Sequence, residues 1–299
     1  MSTRTKSQRF FTGMGILLLV LILGYLAINP WLLRWGATDA EVSRAMPGDL
    51  DHIGWTRGIT INATPEQIWP WLVQWGQGRG GWYSYDWLEN LFGFDIHTAD
   101  HILLEHQNLK VGDPICMARG FCTSHVMVIE PNQWLSWQAK DEDGNPVWTF
   151  TFGLFPLDDS QTRLIVRESF RSDFMPPAAV FVLEIPDVVM EQKALHTVKN
   201  RAEGIEESAL VTPLEILAWF AALVIGSMAG LRFVNHGGWT PLVFGIASVL
   251  VLLMLTFLFP PLWQRVVLDL GLLGGWLWIV RQSAQSAQFQ VAPEVRSAA

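Results

Sequence analysis

Charge is sparse in this 299-residue sequence and cysteine sparser still: 16% of the residues are Asp, Glu, Lys or Arg, and two are cysteine. No run of Lys or Arg exceeds a few residues and the formal net charge is -8, so the basic footprint of a nucleic-acid-binding chain is missing. Nucleic acid is therefore excluded as a partner. Cys116 and Cys122 have no His or Cys neighbours at zinc-finger spacing, and one pair in a chain this long is not a disulfide framework. They are a structural pair or two unrelated thiols. What the chain has in quantity is apolar surface. Half of its residues are hydrophobic and its mean hydropathy is +0.25, more than a soluble domain of this length carries, so part of it belongs in lipid.

The apolar runs fall at both ends. Residues 1–9 hold Arg4, Lys6 and Arg9 with no acid, and 10–33 is almost wholly apolar, about the ~20 residues that a spanning helix requires. A cleavable signal peptide is the rival reading, but its apolar region is usually about 7–15 residues and no small-x-small site follows here. Trp31 and Trp35 flank Arg34, as interfacial anchors do. Three more spans are expected at 214–234, 241–259 and 262–280, with Pro260-Pro261 dividing the last two. Ala222, Gly226, Ala229 and Gly230 allow close helix packing. Asp269 lies inside the last span, and Arg265 one turn earlier is its expected partner. The polar tail, 282–299, reads as disordered.

Between the spans, residues 37–54 form a polar linker containing Pro47-Gly48-Asp49, and a domain follows at 55–208. Ile59 and Ile61 alternate with Thr60 and Asn62 in a first strand. Thr64-Pro65-Glu66-Gln67 is a helix start with a capping box, Ile68, Trp71, Leu72 and Trp75 give that helix an apolar face, and Pro70 kinks it. Gly76, Gly78, Gly80 and Gly81 end it, and a second short helix is expected at 85–92. Strands are expected at 114–118, 124–130, 134–140, 147–157 and 162–170, with short turns that make an antiparallel meander. Pro186-Asp187 opens a long helix whose stripe is Val188, Leu195, Val198, Ala202 and Ile205, while Lys193, Lys199, Asn200, Glu203 and Glu206 face away. Strand, two short helices, meander and long helix is the order of an α+β helix-grip domain: a curved antiparallel sheet around a long C-terminal helix, here joined to transmembrane α-helices.

The run WPWLVQWGQGRGGWYSYDWLENLFGFDIHTAD, with LKVGD at Leu109 to Asp113, TRLIVRE from Thr162 and MEQKALHTVKNRAEG from Met190, resembles membrane-anchored SRPBCC proteins. That superfamily includes START, Bet v 1-like and polyketide cyclase-like proteins. The resemblance covers about residues 55–205 and rests most on GGWYSYDWLEN. It implies a hydrophobic cavity between sheet and C-terminal helix that holds a lipid or another apolar small molecule. The superfamily shares a container and not a chemistry, so function is argued from the site.

Three sets of residues are candidates for chemistry. Strand alternation turns Glu168 inward with Leu164, Val166 and Phe170, and Glu191 falls in the apolar stripe of the last helix; a carboxyl so placed can act as acid or base. The plainer alternative pairs each with a neighbour such as Arg167 or Lys193. Trp82, Tyr83, Tyr85 and Trp87 in the bracket, with Trp137, Trp148, Phe150 and Phe152 on the strands, either fill a core or line a ligand cavity, with His97 and Asp100 adding polar tips. Trp69, Trp71 and Trp75 resting on a bilayer is another reading. His97, His101 and Glu105 would share a face if helical, but no His-Glu-x-x-His pattern occurs and the segment reads equally as loop, so no metal and no cofactor is expected. Cys116 and Cys122 flank the Arg119-Gly120 turn, and a disulfide there fits an extracytoplasmic domain.

The leading expectation is a multi-pass membrane protein whose START-like domain binds a hydrophobic small molecule or lipid for transport or sensing. A cyclase- or lyase-like enzyme using the same cavity, and a scaffold with no cavity, are the alternatives. Oligomeric state is not specified. Arg4, Lys6, Arg9, Arg232, Arg281 and Arg296 against Arg34, Arg44 and Arg265 place the N-terminus in the cytoplasm and the domain outside. A reporter that works only in the cytoplasm is expected to be silent when fused after Glu207; activity there reverses the orientation.

Overall fold

The computed structural model describes residues 5–291, so Arg4, Arg296 and the part of the expected disordered tail from 292 onward lie outside the described residues. In chain order the elements are α1 (Lys6–Leu32), α2 (Asp39–Ser43), β1 (His52–Ile61), α3 (Pro65–Val73), α4 (Asp86–Leu91), β2 (Pro114–Ile115), β3 (Ser124–Glu130), β4 (Trp134–Lys140), β5 (Pro146–Pro156), β6 (Thr162–Phe170), α5 (Pro177–Ala202), α6 (Val211–His236), α7 (Trp239–Phe257) and α8 (Leu262–Val291). They form two units: Ile28–Glu207, an α+β unit, and a helical unit made of the segments before and after it.

In the α+β unit the six strands run β1-β6-β5-β4-β3-β2, every pair antiparallel. The meander is the expected one, because each turn signal supplies a short connection. Its end closes back on β1. Register places Trp137 opposite Phe150, and their rings stack 4.8 Å apart. Phe152 meets Trp75 at 4.9 Å, which draws α3 onto the same face of the sheet. Gln67 Oε1 accepts from the Thr64 N–H at 2.9 Å, so the box expected at the start of α3 forms. Trp71 and Trp75 are buried in this core, and Trp69 is half-buried against it. The aromatic residues of α3, and Trp75 just past its end, thus turn to the sheet, since the burial of one such face is what holds a short helix in place.

Three expectations about the α+β unit need correction. The long helix α5 begins at Pro177, nine positions before Pro186, which lies inside it. Ala178 to Leu183 contains no helix breaker, and Pro177 is suited to a first turn because its missing N–H would have no helical partner. Lys193, expected to face solvent, is buried, whereas Ile205 is exposed and beyond the helix end. The segment 37–54 is no free linker either. It crosses the outer face of the sheet, where β6 alternation points Arg163 and Arg167. Arg167 donates from Nε to Thr56 Oγ1 (2.9 Å), from Nη1 to the Arg44 carbonyl (2.6 Å) and Asp49 (2.9 Å), and from Nη2 to the carbonyls of Glu41 and Val42 (both 2.8 Å). Arg163 pairs with Glu41 at 2.7 Å. Gly58 is needed beneath this arrangement, as a Cβ there would come within 2.7 Å of the Arg163 guanidinium. The carbonyls of Leu33 and Trp35 accept from the N–H groups of Thr56 and Gly58 at 2.9 and 3.0 Å.

In the helical unit, α1, α6 and α7 are long and apolar enough to cross a membrane. The expected fourth span falls on α8, which is helical but carries Arg265, Asp269 and Arg281 and is not one of the three. Its helix continues through the polar stretch to Val291, so 282–291 is not coil; Ala and Gln favour helix. Small residues bring α6 and α7 together as expected: a Cβ on Gly226 would lie 3.0 Å from Ser248. Arg265 pairs with Glu215 of α6 at 3.4 Å and not with Asp269.

Arg167→Ala removes five hydrogen bonds and takes the side-chain donor from the Val42 and Arg44 carbonyls, while the Glu41 carbonyl and Asp49 keep only the N–H groups of Arg44 and Met46. It is expected to cost about 3 kcal/mol or more. A lowered thermal midpoint, together with new protease cleavage confined to 38–50, is the outcome to look for.

Candidate functional site

The alternation that makes β1 an inner-face strand begins earlier than Ile59. Trp55, Arg57, Ile59 and Ile61 share one face with Glu168, Val166, Leu164 and Thr162, their partners on β6. Arg57 is thereby driven into the interior, where it is fully buried. On α5, Asp187 and Glu191 are four residues apart and present their carboxylates to it. Arg57 Nη1 donates to Asp187 Oδ2 and Glu191 Oε2, each at 2.6 Å, while Nε donates to the Leu32 carbonyl at 3.0 Å. Its guanidinium carbon lies 5.1 Å from the Trp55 ring centroid.

Glu168 completes the group. It is buried and accepts from Trp148 Nε1 at 2.6 Å. Oxygens of Glu168, Asp187 and Glu191 lie within 4.8 Å of one another. Three carboxyl groups thus surround one guanidinium at the seam between sheet and helix. Such a set resembles a cation site, but the Arg57 nitrogen already bridges Asp187 and Glu191, so a metal ion would meet a like charge. The donor set fits an ion pair that also holds protons. Burial pushes the Glu168 carboxyl well above the usual range, with the charges of Asp187 and Glu191 adding to the effect. Burial likewise raises Glu191, to about 7, against the opposing pull of Arg57. Burial works to discharge Arg57, but Glu191 and Asp187 outweigh it and its pKa is raised. Two atoms of the cluster, Arg57 Nη2 and Glu191 Oε1, are buried with no hydrogen-bond partner.

Of the residues expected from the sequence, Glu168 and Glu191 come together here, with Trp148 at the edge. Their partners differ from the expected ones: Glu191 pairs with Arg57 and not Lys193, and Arg167 faces the opposite side of the sheet from Glu168. Tyr83, Trp137, Phe150 and Phe152 lie in the close-packed aromatic core, and Tyr83 donates its hydroxyl to the Trp71 carbonyl at 3.1 Å. Tyr85 is buried, with Lys193 Nζ 5.9 Å from its ring centroid; Trp82 and Trp87 are half-buried, Trp82 edge-on to Trp75. His97 and Asp100 are exposed and bond to Asp95 and His101, so they add no polar tip to the inner face. The His97, His101 and Glu105 segment is not a regular helix; one short 3-10 turn spans Leu104–His106. Cys116 and Cys122 are joined in a disulfide across the turn where Ala118 bridges Phe121.

Arg57 and Asp187 were not singled out in the sequence. Counting the β1 alternation back two steps from Ile61 past Ile59 reaches Arg57, and the i, i+4 spacing to Glu191 marks Asp187 once the helix is known to start before it. Another buried acid lies elsewhere in the same unit. Glu89 of α4 has both oxygens buried without a partner, and burial raises it to about 7, with Asp86 contributing.

No family model matches the chain, and no curated protein matches it. Solved structures with a similar arrangement include a protein from Mesorhizobium loti (16% identity, 51% of this chain and 99% of that chain, TM-score 0.30). A protein from Arthrobacter aurescens (17%, 50% and 86%, TM-score 0.29) is another. DynU16, from the dynemicin biosynthetic locus, is a third (12%, 47% and 45%, TM-score 0.28).

Glu191 and Glu89 hold protons more tightly folded than unfolded, where a glutamate titrates near 4.5. Their stabilising contribution is complete below that value and is lost as pH rises through about 7. The thermal midpoint of the full-length protein is therefore expected to fall across that window. Glu191→Gln should flatten part of the slope and Glu89→Gln more of it; an unchanged profile in both variants contradicts the assignment.

Proposed function

We propose that this chain is a membrane-anchored protein whose α+β unit is a START-like, helix-grip module that binds an apolar small molecule or lipid for transport or sensing. The observation that carries the reading is the unpaired buried couple, Arg57 Nη2 and Glu191 Oε1, at the seam of sheet and helix. A buried donor and acceptor left open cost about 1–3 kcal/mol each, and a ligand's polar end that met them would recover that cost. Trp148, half-buried where the aromatic core meets Glu168, is the residue that offers apolar contact to the rest of the molecule. The SRPBCC resemblance of the sequence supports the same reading. So does the division of the chain: the α+β unit lies between α1 and α6, two helices with the length and apolarity of membrane spans. An extracytoplasmic position for this unit is favoured by the bias in basic residues and by the Cys116–Cys122 disulfide, a bond that persists in oxidising compartments.

A second reading has its own support. Glu191, titrating near 7 beside a fixed guanidinium, has the property of a general acid or base at neutral pH, and burial also raises the Glu168 carboxyl next to it well above the usual range. In that reading the bound molecule is a substrate.

Organic extraction of purified full-length protein, followed by mass spectrometry, is expected to release one apolar molecule in near-stoichiometric amount over the bulk lipid. Finding bulk lipid alone removes the container reading. Glu191→Gln that keeps the molecule bound but unprocessed, where the wild type converts it, decides for the enzyme. The same molecule recovered unaltered from both proteins decides for the carrier or sensor.

A further inference from the structure

The helical unit holds a polar cluster of its own. Glu215 lies in the second turn of α6, Arg265 in the first turn of α8 and Asp269 one turn further along the same helix face. Arg265 is 1% exposed and Glu215 3%. The guanidinium is held on two sides: Nη2 is 3.4 Å from Glu215 Oε1, and Nε donates to the Pro260 carbonyl at 2.8 Å. Its carbon lies 4.9 Å from the centroid of the Phe259 ring. The third side is open. Arg265 Nη1 is buried without a partner, and so is Asp269 Oδ1.

Charge and hydrogen bonding together specify what completes this site. Glu215 neutralises Arg265, which leaves the Asp269 carboxylate as the surplus charge in an apolar setting, where an uncompensated ion is costly. The open Nη1 needs an acceptor, and the open Oδ1 needs a donor with positive charge. We infer that the cluster binds a phosphoethanolamine group, whose phosphate oxygen accepts from Arg265 Nη1 and whose primary ammonium donates to Asp269 Oδ1. A purely anionic group meets repulsion from Asp269 and Glu215. A simple amine leaves the guanidinium open. A trimethylammonium group has the charge but no N–H to give. Both Arg265 and Glu215 stand near the first turns of their helices, and the ends of apolar helices are where lipid headgroups lie.

The test uses the intact chain in vesicles of equal parts dioleoyl phosphatidylethanolamine, phosphatidylcholine and phosphatidylglycerol, followed by native mass spectrometry from mild detergent. Retention of phosphatidylethanolamine about tenfold above the other two is expected, as for one charge-assisted hydrogen bond. Asp269→Asn, close in shape, should lower that retention about tenfold. Equal retention of phosphatidylcholine or phosphatidylglycerol overturns the inference, as does an Asp269→Asn protein that still prefers phosphatidylethanolamine. The wild-type lipid comparison decides alone if the variant does not fold. Displacement by free phosphoethanolamine identifies a soluble ligand, and displacement only by the lipid identifies the bilayer as its source; both support the assigned chemistry.

Discussion

The buried guanidinium of Arg57 organises the seam between sheet and last helix in the α+β unit. Taking an arginine out of water costs several kcal/mol even after relaxation, so Arg57 is tolerable only where acceptors are fixed around it. They come from three places: the last carbonyl of α1 at Leu32, and two carboxylates a turn apart on α5. Satisfying Arg57 therefore locks the end of the first helix and the face of the last one onto β1. The same demand concentrates negative charge. With Glu168 opposite on β6, the cluster has more carboxyl groups than one cation can balance, and burial resolves the surplus by keeping protons on the glutamates. The site's capacity to donate or accept a proton thus follows from how the fold is tied together.

Most of the frame was legible because it rests on local chemistry. The Thr64–Gln67 box, the Arg119-Gly120 hairpin and the turns between strands depend on residues within a few positions, and all of them form. What failed depended on tertiary partners. Pro186 reads as a helix start to any local rule, yet α5 runs through it, and Asn29 Nδ2 donates to Glu184 at 2.8 Å in the turns that precede it. Lys193 reads as solvated, but it lies buried with Glu207 3.7 Å from its ammonium and the Tyr85 ring nearby.

The candidate site was half legible for the same reason. Alternation and helical spacing named Glu168 and Glu191 as inward acids, because those patterns fix direction. They could not name partners on other elements. Arg57 is distant in sequence from both, and the nearest basic residue, Arg167, was a poor guide because one step along a strand reverses the face. In the helical unit the adjacent Arg265 and Asp269 suggested a pair within one helix, whereas the cross-helix partner Glu215 lies fifty residues upstream.

β1 closes one side of the sheet, and a strand in that position ordinarily presents a row of unpaired amides to any passing chain. Here the residues leaving α1 lie along it, with Leu33 and Trp35 accepting from Thr56 and Gly58. The segment leaving α1 thereby serves as an edge guard. A truncation that begins after Trp35 would strip more than an apolar helix: it would uncover a template for strand addition, and self-association would follow from the cut itself.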